Sequence, residues 1–307
     1  MKASTISISP NDRAFLFLNN CILGIILLVV LYPLVFVISS SFSSPNANIT
    51  GRVWLYPVDV SLAGYKAVFS NKSIMTGYIN TIFYTVFGTL ISLTLTVLAA
   101  YPLSRSDFKP RNVIMLFFAF TMFFSGGLIP TYILVKNLGM LDTRWAMLIP
   151  SALSVFNIII TRSFFQGTPT ELLEASQMDG CSDIRYLVSI LLPLSKPILA
   201  VMTLFYAVAQ WNAFFDALLY LSKESLQPLQ IILRQILISN NFDAAMMNTI
   251  NIDQAVAKQG INELLKYALI IVASVPLLVM YPFIQKYFVK GIMIGAIRSD
   301  PLCIKTI

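Results

Sequence analysis

Apolar residues run along this chain in long, nearly unbroken blocks, and polar residues gather between the blocks rather than alternating within them. Each block is long enough to cross a hydrocarbon core of roughly 30 Å at about 1.5 Å of helical rise per residue. The blocks place about six membrane-crossing helices, over residues 15–40, 78–103, 113–135, 146–165, 191–221 and 264–289. A closed barrel would need short segments of alternating polarity, which these runs are not. The expected fold is an all-α membrane protein with about six transmembrane helices, forming one domain over residues 1–307. Three longer polar connections stand out, at residues 42–77, 166–190 and 222–263. The last of them contains an amphipathic stretch, 229–237, and then an Asn-rich segment.

Composition agrees with the pattern. The chain is 57% hydrophobic, 11% charged and free of His, whereas soluble domains carry about 25% charged residues. A net charge of +7 would raise nucleic acid as a partner for a soluble protein. Here it is the excess of Lys and Arg that cytoplasmic loops of membrane proteins carry, so no nucleic acid is expected. The tight segment after the second block holds Arg105, Lys109 and Arg111. Placing it in the cytoplasm puts both termini there, together with Lys2, Arg13, Arg162, Arg185, Lys196, Lys286, Lys290, Arg298 and Lys305. The connections 42–77 and 222–263 are then outer loops. Cys21, Cys181 and Cys303 form no pair that reads as a disulfide or a metal site. The first apolar block is too long for a signal peptide and reads as a permanent span.

A few polar residues lie where lipid would penalise them. Asp216 falls within the fifth block; counted from Pro197 along one helix it lies about 28 Å on, near the outer interface. Gln210, Trp211 and Asn212 sit deeper. For Asp216 two readings remain open, a polar residue at a wet helix end or a role in the substrate path or outer gate. For Gln210, Trp211, Asn212, Asn80, Tyr84 and Asn157 they are bonding between helices or a polar wall along a translocation path. Phe123, Phe124 and Tyr132 flank Ser125-Gly126-Gly127 and Pro130, a grouping that breaks a helix within the membrane. Sugars stack on aromatic rings, which adds Tyr132 to the path candidates. No Ser or Asp is placed with a base, so the chemistry of an intramembrane enzyme is missing and no catalytic residue is expected. An ion-coupled secondary transporter would place ionisable groups near the midplane, and none is found there.

The segment between the fourth and fifth blocks is of another kind. Thr168-Pro169-Thr170-Glu171 carries helix-start chemistry, with Thr168 as cap, Pro169 in the first position and Glu171 completing a capping box. The helix then runs through Glu174-Ala175-Ser176 and stops at Asp179-Gly180, where glycine accepts the left-handed conformation. Ser182-Asp183 starts a second helix toward Pro193. The product is an elbow of two short helices, with small residues at 175 and 176 for close backbone approach and a Glu174 carboxylate for a cationic partner. Glu171, Glu174, Ala175, Ser176, Asp179 and Gly180 are the candidate docking residues.

The spacing Glu174-Ala175-Ser176, Gly180, Ile190-x-Leu192-Pro193 resembles the EAA loop of ABC importer permeases, with Ser176 in place of the second Ala. Tyr101-Pro102-Leu103-Ser104-Arg105, Gly127-Leu128-Ile129-Pro130, Trp211-Asn212 and Gly291-x3-Gly295-Ala296 extend the resemblance to carbohydrate-uptake permeases of the maltose-type second subunit, and among them to the LplC/YtcP-type group associated with complex oligosaccharides. The resemblance implies a type I importer fold in the bacterial cell membrane, and a heterodimer with a second permease subunit. It also implies a cytoplasmic ATPase dimer seated on the EAA loop, and an extracellular sugar-binding protein. By the same resemblance Glu174 supplies the polar contact and Gly180 the turn, while the stretch from Gln210 to Asp216 lines the sugar path. In the maltose system, however, the partner subunit holds the sugar. No G-x4-GK[ST] phosphate loop occurs, so ATP and Mg are expected on the partner ATPase and no cofactor on this chain.

Overall fold

The structure, a computed structural model, describes residues 10–246 and 252–296. All regular structure among the described residues is helical. The chain divides into two compact units, one of residues 1–71 with 235–273 and one of residues 72–234 with 274–307.

In the first unit, helix α1 (Pro10–Ser41) is a 32-residue apolar rod with no buried residue in its most apolar stretch. It ends in a serine cluster that fastens the following connection. The Ser39 hydroxyl donates to the Leu55 carbonyl at 2.7 Å, and that of Ser43 donates to the Ser39 carbonyl at 2.7 Å. Asn48 Nδ2 donates to the Ser40 carbonyl at 3.0 Å. Two short helices, α2 (Pro45–Ile49) and α3 (Ala63–Ser70), give this connection its structure. Ser44 caps α2 by accepting from the Ala47 N–H. A Cβ built on Gly64 would lie 3.0 Å from the Leu264 carbonyl oxygen, so only glycine lets these backbones approach.

The second unit is built on α4 (Lys72–Ser104), 33 residues long. Small and polar residues recur on its buried face at Gly77, Thr81, Gly88, Ser92, Thr96 and Ala100. Such a stripe lets helices pack closely where no hydrophobic effect drives them together. Next come α5 (Arg111–Phe123) and α6 (Leu128–Asn137), bent by 112° at Gly127, whose φ is +86°. The short α7 (Trp145–Leu148) and α8 (Val155–Gln166) follow, with Ser154 capping the latter by accepting from the Asn157 N–H. Then come α9 (Thr170–Met178), α10 (Asp183–Tyr186), a π turn (Leu187–Leu191), α11 (Leu192–Leu194) and α12 (Lys196–Trp211). Beyond them lie α13 (Phe215–Tyr220) and a 3-10 turn (Glu224–Leu226), followed in the chain by α14 (Leu229–Met246) and the 45-residue α15 (Ile252–Ala296), of which residues 235–273 belong to the first unit.

Helices α1 and α4 and the 260–282 part of α15 are long and apolar enough to cross a membrane; counting each bent pair as one span raises three candidates to five. The break expected from Gly126-Gly127-Pro130 is present. The block 146–165 is not one helix: Pro150 cannot donate the backbone bond that would carry α7 onward, and the 12 residues of α8 rise only about 18 Å. The block 191–221 is interrupted twice. It bends by 84° at Ser195, between Pro193 and Pro197, and stops again at Asn212. Asp216 therefore lies on α13 rather than at the far end of one helix from Pro197. Lys2, Arg298, Cys303 and Lys305 lie outside the described residues.

Near the start of α4, Asn80 Nδ2 donates to the Ser225 and Gln227 carbonyls at 2.8 and 3.1 Å, and the Tyr84 hydroxyl donates to the Leu226 carbonyl at 2.8 Å. Thr81 accepts from the Leu229 N–H at 2.8 Å. Three α4 side chains, Asn80, Thr81 and Tyr84, thus hold the turn leading into α14. Replacing Asn80 with Ala should leave two carbonyls without their donor, cost ~1–3 kcal/mol and speed proteolytic nicking around residues 222–228. A Cβ on Gly77 would collide with Ile232 Cδ1 and sit 3.3 Å from the Leu229 backbone. Gly77→Val should lower the thermal midpoint of the detergent-solubilised protein by the equivalent of ~1–3 kcal/mol of overpacking.

Candidate functional site

The elbow forms where the sequence places it, with one difference at its start. Helix α9 begins at Thr170, with Pro169 as its N-cap at φ −55° and ψ 132° and no side-chain cap. The capping box expected from Thr168 and Glu171 is absent. Thr168 instead closes the preceding helix, its N–H donating to the Phe165 carbonyl at 3.2 Å. Glu171 remains in the first turn, where a carboxylate offsets the positive end of the helix dipole.

The end of α9 is tightly specified. Gly180 takes φ +72°. Its N–H donates to the Gln177 carbonyl at 3.0 Å and the Cys181 N–H to the Ser176 carbonyl at 2.9 Å, the paired bonds of a Schellman turn. Ser182 then caps α10 by accepting from the Arg185 N–H. The π turn over 187–191 carries the arm to Pro193, whose missing N–H disturbs the regular ladder. Glu171, Glu174, Ala175, Asp179 and Gly180 are exposed. Ser176 is buried, and its hydroxyl donates to the Leu173 carbonyl at 2.7 Å. Two residues the sequence reading passed over lie on either side of the turn: Met178 and Ile184 are 89% and 76% exposed. Their signal was a large apolar side chain on each side of the Asp179-Gly180 turn.

The base of the elbow is anchored on the end of α4. Tyr186, Leu187 and Leu191 join Ala100 and Leu103 of α4 and Phe165 of α8 in one apolar cluster. Arg162 Nε donates to the Leu103 carbonyl at 2.8 Å. The Arg105 side chain is only 10% exposed and forms ion pairs with Asp107 at 2.8 Å and Asp183 at 3.2 Å. Hydrogen bonding from the Arg105 guanidinium holds the Asp107 carboxyl below the usual carboxylate range, and the same bond raises the guanidinium above its ordinary value. A cavity of about 230 Å³ opens beside this base, bordered by Arg111, Gln166 and Thr168.

A second cavity, of about 310 Å³, lies at the break between α12 and α13. Gln210, Asn212 and Asp216 line it with Ser151, Phe214 and Phe215. The Ser151 hydroxyl donates to Asp216 Oδ2 at 3.1 Å. Gln210 is 8% exposed, and its Oε1 is buried without a hydrogen-bond partner in the structure. It lies against Gly88, where a Cβ would come within 2.7 Å of its Cδ. Asn212 Nδ2 donates back to the Val208 carbonyl at 2.9 Å. Phe214 and Phe215, within the stretch 210–216 but not singled out there by the sequence, supply exposed aromatic side chains. No residue lining the cleft carries positive charge.

The other path candidates are placed elsewhere. Trp211 is buried edge-on against Tyr78, with ring centroids 5.8 Å apart. Tyr132 stacks on Tyr220 at 6.3 Å and 10°. Asn80 and Tyr84 hold the turn before α14, and buried Asn157 sits in the first turn of α8. Among the described residues no group of three or more His, Cys, Asp or Glu could hold a metal ion.

Comparison with known proteins extends this geometry. The chain is 41% identical over 287 residues to Protein LplC of Bacillus subtilis, covering 94% of this chain and 96% of that protein. It is 39% identical over 288 residues to the polygalacturonan/rhamnogalacturonan transport system permease protein YtcP of the same organism, covering 94% and 99%. A solved structure of a bacterial ABC transporter involved in import of the acidic polysaccharide alginate contains a chain that superposes with a TM-score of 0.84 at 38% identity, over 92% of this chain and all of that one. With residues 92–294 matching the model of the binding-protein-dependent transport system inner membrane component, the chain belongs to that family of membrane transport permeases.

Proposed function

We propose that this chain is one transmembrane permease subunit of an ATP-driven importer of oligosaccharide in the bacterial cell membrane. In this reading it crosses the membrane about six times with both termini in the cytoplasm. It pairs with a second permease subunit, takes cargo from an extracellular sugar-binding protein, and is driven by an ATPase dimer that binds the ATP and Mg. The observation that carries the reading is the elbow: a short helix ended at Gly180, exposing Glu174, Ala175 and Met178 on a chain that is otherwise mostly apolar. The exposed carboxylates of Glu171, Glu174 and Asp179 suit a cationic rim, and Met178 and Ile184 suit an apolar floor. Closure of the ATPase dimer would draw two such elbows together and rock the helices as rigid bodies between inward-open and outward-open states.

The cleft at the α12–α13 break is the part of this chain best suited to face cargo. Phe214 and Phe215 offer ring faces, and Asp216, Asn212 and Gln210 offer polar groups for hydroxyls. With one carboxylate and no cation, it fits the neutral, hydroxyl-rich faces of a sugar chain. The carboxylates of an acidic cargo, such as those named for the polygalacturonan and alginate relatives, would have to meet groups outside this cleft.

Gly180→Val forces a β-branched residue into a left-handed conformation at a strain of ~1–2 kcal/mol, enough to lower ATP-driven uptake by about tenfold. Membrane insertion should be unchanged. Normal uptake in vesicles carrying this variant and its partner subunits would remove the coupling role. Asp216→Asn keeps shape and removes charge. It should raise the half-saturating concentration for uptake by about fivefold or more, as expected for loss of a hydrogen bond to a charged group. An unchanged value would take Asp216 out of the path.

A further inference from the structure

Beyond the elbow itself, the structure contains a device that connects it to the helix bundle. Arg105, the first residue past α4, uses most of its donors. Its Nε and Nη2 donate to the Asp107 carboxylate at 3.0 and 2.8 Å, and its Nη1 donates to the Tyr101 hydroxyl and to Asp183 Oδ1, both at 3.2 Å. Its own carbonyl accepts from Arg111 Nη1 at 2.8 Å. The contact with Asp107 stays within the loop after α4. The contact with Asp183 crosses to the first turn of α10, three residues beyond the Gly180 turn.

That position matters because of where the elbow is otherwise held. The buried members of the apolar cluster grip the descending arm from Tyr186 onward, with Leu173 of α9 and Cys181 only partly buried against them. A load applied at α9 enters the arm earlier, through Gly180 and Ser182, at the first turn of α10, whose residues 183–185 lie outside the cluster. Without a restraint there, the four residues of α10 could pivot about Tyr186 and dissipate the movement. We propose that Arg105 is a positioning residue that pins the first turn of α10 to α4 through Asp183, so that elbow and α4 move as one body. The planar guanidinium is suited to this work, since it orients two carboxylates at once where an ammonium would act as a point charge. The Asp183 side chain is 67% exposed. A pair this open contributes little to folding stability, so its function lies in geometry and its loss should leave the fold intact.

The inference rests on the elbow being the coupling element, and the test separates the two. The assembled importer is reconstituted in proteoliposomes, and sugar moved per ATP hydrolysed is measured, with co-purification of the ATPase as the check on assembly. Asp183→Asn should retain ATPase binding and hydrolysis while the sugar moved per ATP falls by about fivefold. Asp183→Glu, which keeps the carboxylate, and Asp107→Asn, which loosens only the loop, should keep the wild-type ratio. An unchanged ratio in Asp183→Asn, an equal fall in Asp107→Asn, or loss of the ATPase from the Asp183→Asn complex would each overturn the pin. A fall in Gly180→Val with a normal ratio in Asp183→Asn overturns the pin and leaves the elbow as coupling element. Normal ratios in both overturn the elbow reading itself.

Discussion

Helix α4 approaches α12 closely because glycine and small hydroxyl residues line its buried face, and most of the second unit follows from that approach. Gly88 leaves room for the Gln210 side chain, and the Thr96 and Tyr206 hydroxyls meet at 2.6 Å, about two turns beyond Gly88 on α4 and about one turn before Gln210 on α12. In lipid, apolar side chains gain little by leaving one apolar medium for another, so close backbone contact and shared hydroxyls carry the association. A bulky residue on this stripe would do more than strain a core. It would move Gln210, and with it the wall of the cleft at the α12–α13 break.

The same helix links the two candidate sites. Its early turns hold the loop into α14 through Asn80, Thr81 and Tyr84. Its middle supports Gln210. Its end packs against the elbow base through Ala100 and Leu103 and passes into Arg105. From Gly88 to Arg105 is about 25 Å of helical rise. One unbroken helix therefore spans the distance between the proposed cargo-facing cleft and the proposed docking elbow, while the helices packed around it are interrupted. Rigidity in α4 and the breaks between α5 and α6, between α7 and α8, and on either side of α12 are complementary. Backbone freed at a break has unpaired polar groups, which a membrane protein keeps against protein or a water-filled cavity.

Much of the elbow was legible in advance because its determinants are local. Gly180 after Asp179 signals a left-handed stop, and Ser182 before Asp183 signals a new helix; both are geometry within a few residues. The break at Gly127 was legible for the same reason. Thr168 was misread because two helix ends compete for it. Its hydroxyl and position suit a cap, yet α8 reaches far enough to take its N–H first. The bend at Ser195 went unread because a proline near a helix start is ordinary, and Pro193 and Pro197 produce a sharp turn only together with the arm that packs below them.

Hydrophobic blocks, breakers and the spacing of the elbow depend on the order of residues alone, so the sequence by itself determined a helical membrane permease with a short exposed elbow. It could not say which buried polar groups face one another. Asn80, Tyr84 and Trp211 read as path candidates on the same grounds as Gln210, Asn212 and Asp216, and only the packing separated them. The first three are turned to a loop or a neighbouring ring, and the last three border open space. The same holds for Arg105, which in sequence is one of three charges marking a cytoplasmic loop. Its partner Asp183 lies 78 positions away, and a contact that distant exists only once the helices between have folded back on each other.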